Sequence, residues 1–115
     1  MDRDFLRKML AAILRDIKKN DTNYPVRKKL ILKAMWLAAE LEWPVGVDID
    51  LHVNPPGFPI VYFITIPFYG QISWHDAPHP NRYDGHSTPL KYTRIDSFII
   101  DTERGLGSLP EIGEQ

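Results

Sequence analysis

The chain of 115 residues, 43% hydrophobic and 25% charged, is long enough to bury one core and too apolar for wholesale disorder. It has no cysteine, which removes disulfides, thiolate nucleophiles and cysteine-based zinc sites, so any metal would rest on His, Asp or Glu. The net charge of −1 hides an asymmetry: through Lys33 ten Lys and Arg stand against four acids, about +6, and the remainder has four against eleven, about −7.

Residues 4–19 place Leu6, Met9, Leu10, Ile13, Leu14 and Ile17 on one stripe, with Arg7, Lys8, Arg15, Lys18 and Lys19 largely off it. This spacing predicts an amphipathic helix, and Asp2 and Asp4 at its N-terminus and Lys18 and Lys19 at its C-terminus suit the helix dipole. Asn20–Tyr24 reads as a turn, and Pro25 opens a second helix, because proline's missing N–H has no partner in a first turn anyway. Leu30, Ile31, Ala34, Met35, Ala38 and Leu41 give that helix a buried face, and Trp43-Pro44 stops it. The two helices should form a hairpin.

From Val47 the period changes to two. Val47, Ile49, Leu51 and Val53 alternate with Asp48, Asp50 and His52, as in a strand with one face in the core and one in water. After Asn54–Pro59, the run Ile60–Ile66 is apolar at nearly every position and reads as a central strand; it is also far too short to cross a bilayer as a helix. Phe68-Tyr-Gly70 turns the chain into a third strand, Gln71–His75, with Ile72 and Trp74 inward. Val47, Ile49, Leu51, Ile60, Ile64, Ile72 and Trp74 are expected to share a core with Leu10, Ile13, Leu30, Met35 and Leu41.

A polar loop, His75 to His86, leads to Ser87-Thr88-Pro89, where a hydroxyl cap before proline predicts a last helix. Tyr92, Ile95, Phe98 and Ile99 fit helical spacing, although Ile95, Ser97 and Ile99 would also alternate as a strand. The fold class is therefore α+β, in the order ααβββα: a helical hairpin on a small three-stranded antiparallel sheet, a long loop and a C-terminal helix. Residues 1–102 form the single domain and 103–115 a tail, with Leu106, Leu109 and Ile112 able to dock. Without the apolar core of a signal peptide at the N-terminus, the expected setting is cytoplasmic.

Chemistry concentrates in residues 75–88. His75, Asp76, His79, Arg82, Tyr83, Asp84, His86, Ser87 and Thr88 are the candidate ligand-binding residues, on a segment stiffened by Pro78 and Pro80. The same residues could instead satisfy the loop's own backbone. The N–H groups at the start of the last helix, beside His86, Ser87 and Thr88, suit an anion, and Arg82 could add charge. Tyr69, Trp74 and Tyr83 could add stacking surface, with Trp74 better suited to the core.

His75, His79 and His86 are chemically able to hold a metal, with Asp48, Asp50 and His52 as further donors, but the spacing matches no ligand motif and no metal or other cofactor is expected. Ser73, Ser87 and Thr88 are candidate nucleophiles and His75 or His86 candidate bases, yet no nucleophile elbow or phosphate loop accompanies them. Non-catalytic binding thus comes first, of a small anionic ligand such as a nucleotide or of a protein partner. A small His-dependent hydrolase or nuclease, metal-assisted or not, is the alternative. A third reading is nucleic-acid binding through the basic helices and Arg3, Arg7, Lys8 and Arg15, but no recognition motif supports it. Attraction between the oppositely charged ends also allows a homo-oligomer.

Overall fold

The computed structural model describes residues 2–49, 60–75 and Phe98. Helix α1 spans Arg3–Lys19; its N-cap is Asp2, whose carboxylate accepts the Asp4 N–H at 3.1 Å, and its last turn carries Lys18 and Lys19. Leu6, Leu10, Ala11, Ile13, Leu14 and Ile17 are buried, as the stripe requires. A link of residues 20–23 leads to helix α2, Tyr24–Glu40, with Pro25 in its first turn. The Arg3 guanidinium donates to the Leu41 carbonyl at 2.7 Å, so the start of α1 is tied to the end of α2 and the pair is an antiparallel hairpin.

Helix α2 ends in a two-bond cap. The Trp43 N–H reaches the Ala38 carbonyl at 3.0 Å and the Glu42 N–H reaches Ala39 at 2.9 Å, the pattern that needs a left-handed residue after the helix. Glycine usually fills that place; here Glu42 does, at φ 64°. The cap turns Trp43 inward, where it is buried.

The strands are β1, Val45–Ile49, β2, Ile60–Ile66, and β3, Gly70–His75, antiparallel in the order β1-β2-β3. Tyr62, Ile64, Ile66, Ile72 and Trp74 lie on the buried face and join Leu10, Ile17, Ile31, Leu37 and Leu41 in one core. Leu30 and Met35 pack against this core half-buried. On the opposite face Val61, Phe63 and Thr65 stay half-buried, so β2 is central in the sheet but not buried on both sides. Phe63 stands opposite Gly46, and a Cβ at Gly46 would meet its ring.

Strand β1 departs from the sequence reading. It starts two residues earlier, and pairing sets Val45, Val47 and Ile49 opposite Ile64, Tyr62 and Ile60, on the helix-facing side as alternation requires. Yet Val47 and Ile49 are 57% and 53% exposed and Ile60 37% exposed. The expected core membership of these three does not hold: their side of the sheet is correct, but at this end of the strands the helices do not cover it. Leu51, Val53 and His52 lie outside the described residues.

The β2–β3 turn is closed by the Tyr69 N–H on the Ile66 carbonyl at 3.0 Å, with Pro67 second and Phe68 third. Phe68 takes a positive φ of 70°, the conformation that glycine usually supplies at the third residue of such a turn, and is 58% exposed. Phe98 is helical and fully buried, its ring edge-on to Trp43 at 5.6 Å and to Tyr69 at 5.4 Å. Phe98 belongs to the same core. The rest of the expected C-terminal helix, and the tail from 103, lie outside the described residues.

Candidate functional site

Of the nine candidate ligand residues, the structure describes His75. It ends β3, is buried, and its carbonyl accepts a 2.6 Å hydrogen bond from the Arg27 guanidinium. Asp76, His79, Arg82, Tyr83, Asp84, His86, Ser87 and Thr88 lie outside the described residues, as do Asp50 and His52. What the structure shows is the root of the loop: where the chain leaves β3, and what holds it there.

Arg27 sits in the first turn of α2, a position where the helix dipole disfavours a cation. It is 1% exposed, with its guanidinium carbon 4.5 Å from the centroid of the Tyr24 ring and one nitrogen 3.6 Å from an Asp21 carboxylate oxygen. The bond to His75 spans 48 residues. Burial of a guanidinium is costly unless it is paired and hydrogen-bonded, and these three contacts meet that demand. In the sequence Arg27 is one of the ten bases through Lys33, with no role of its own. Its unfavourable place in the first turn was the available signal.

Several bases of the two helices are hydrogen-bonded or paired. Arg7 pairs with Asp4 at 2.7 Å, and Arg3 is used on Leu41. Lys18 and Lys19 at the end of α1, and Lys28 beside Arg27, are exposed around the closed end of the hairpin. No acid lies in the first turn of α2, and its N-cap Asn23 makes no side-chain capping bond. The loop root and this basic end therefore meet, because Arg27 belongs to one and holds the other.

The remaining candidates are placed less productively. Trp74 is 1% exposed, a core residue that offers no stacking face. Tyr69 is half-buried against Phe98. Ser73 stands opposite Phe63 in the sheet. The Asp48 carboxylate accepts the Ile49 N–H at 2.8 Å, and among the described residues no three His, Asp or Glu converge as a metal would require. None of the described helices is long and apolar enough to cross a membrane.

Compared with family models, with curated proteins and with solved structures, the chain matches none.

Proposed function

We propose that the protein is a non-catalytic binding protein for a small anionic ligand such as a nucleotide. The observation that supports this reading is the Arg27–His75 bond, which roots the loop of residues 76–88 beside the exposed lysines at the closed end of the hairpin. Positive potential from that end favours an anion, and the loop's composition supplies the directional groups: Arg82 as a bidentate donor, His86, Ser87 and Thr88 as hydrogen-bond partners, Tyr83 as a stacking face.

Titration of the isotopically labelled protein with ATP, GTP and inorganic phosphate tests this. Amide resonances of Lys19 and Lys28 should move together with those of Arg82, His86 and Thr88, along one binding curve. Arg82→Ala should weaken the interaction by about 1.5–3 kcal/mol with little change in folding stability. Shifts confined to the lysines, equal for every anion and lost at about 0.15 M salt, would mean non-specific ion attraction and refute the reading. Turnover of the nucleotide during the titration would favour the hydrolase instead.

A further inference from the structure

Helix α2 buries one side against α1 and the sheet, yet its outer side is not the polar face a monomer presents. Leu32 and Trp36 are 46% and 56% exposed, one helical turn apart, with Lys29 and Lys33 before Trp36 and Glu40 after it. These five residues occupy a single stripe, an exposed apolar pair flanked by charge, which is the make-up of a surface that a partner helix can cover. Its charge is graded as well, basic toward the N-terminal half and acidic at the C-terminal end.

We infer that a second copy of this chain covers the stripe, through antiparallel packing of α2 on α2 about a two-fold axis. The charge order is self-complementary in that arrangement alone. An axis midway between Lys29 and Glu40, which are eleven positions or about 16 Å apart along the helix, sets Lys29 opposite Glu40 of the partner subunit, twice over. A two-fold perpendicular to antiparallel helices keeps each side of a stripe facing the same side of its mate, and Lys29 and Glu40 lie on the same side. Lys33 then falls over the Trp36 ring of the partner, where a cation is attracted, and Leu32 fills the seam beside it. A parallel pair would set Lys against Lys. The contact uses Lys29 and leaves Lys18, Lys19 and Lys28 at the hairpin end, so it stands independently of the ligand reading.

Sedimentation equilibrium of the full chain across a wide concentration range tests the inference, alongside tryptophan emission. Of the three tryptophans Trp43 and Trp74 are already buried, so a blue shift on raising concentration reports Trp36. Dimerisation with that shift is expected. Trp36→Ala should weaken it by about tenfold or more, and Lys29→Glu or Glu40→Lys by about fivefold or more. The double variant Lys29→Glu with Glu40→Lys should recover the wild-type constant, a rescue that a general loss of folding would not give. A protein that stays monomeric at all concentrations, including one that instead captures an acidic peptide or binds anionic vesicles, overturns the inference. So does a dimer indifferent to these substitutions, or one in which the charge swap fails to rescue.

Discussion

Replacing Arg27 by methionine keeps most of the side-chain volume and removes the charge that holds His75. The lost charge-assisted hydrogen bond, 2.6 Å long and buried, contributes about 1.5–3 kcal/mol. The Tyr24 ring beneath the guanidinium adds about 0.5–1 kcal/mol. Asp21 adds little, because it is 46% exposed and 3.6 Å away, so water screens most of that attraction. The thioether returns some burial in the vacated space. The net expectation is a loss of about 2–3 kcal/mol, against a total stability on the order of 5–15 kcal/mol for a domain of this kind. Urea unfolding followed by circular dichroism resolves such a change as a midpoint shift of about 1–2 M. Arg27→Ala, which adds a cavity, should cost about 3–5 kcal/mol, and Arg27→Lys should fall between wild type and methionine because an ammonium lacks the planar fork. Amide exchange at His75 should quicken in all three. A methionine variant as stable as wild type would show that Arg27 is merely tolerated in its site and does not secure β3.

Glu42→Gly should stabilise the fold by about 0.5–1 kcal/mol, because glycine takes the left-handed conformation after α2 without strain; a destabilised variant in the same urea assay would mean that the Glu42 side chain makes a contact worth more than its backbone cost. Ile64→Ala should cost about 2–5 kcal/mol and Val47→Ala under about 1 kcal/mol, since the two share a side of the sheet but only Ile64 lies under the helices. A large loss at Val47, measured at a protein concentration low enough to keep the chain monomeric, would show that this end of the sheet is covered within one copy.

The elements legible in the sequence are those whose causes are local. A stripe of six apolar residues, a capping aspartate at position 2, lysines at 18 and 19 and a proline at 25 each act within a few residues, and α1 and α2 follow from them. Alternation likewise identified which residues of β1 share a side. It could not tell whether anything lies over that side, because coverage depends on how far two helices reach across the strands, and so Val47 and Ile49 are exposed where Ile64 is not. On α2 the helical spacing marked Ile31, Ala34, Ala38 and Leu41 as core, and they are buried; packing against α1 and the sheet added Leu37 and left Leu30 and Met35 only half-buried. The candidate segment was visible as composition, while the burial of its first residue, His75, was not. Arg27, Lys28 and Lys29 are consecutive bases, and the place of Arg27 in the first turn sets it apart without saying what it meets. The arrival of the end of β3 from 48 residues away buries the first of them and leaves the other two in water. Local energies act over a turn of chain and can be read along it, whereas the burial of a charge depends on long-range contacts that form only when the strands close over the helices.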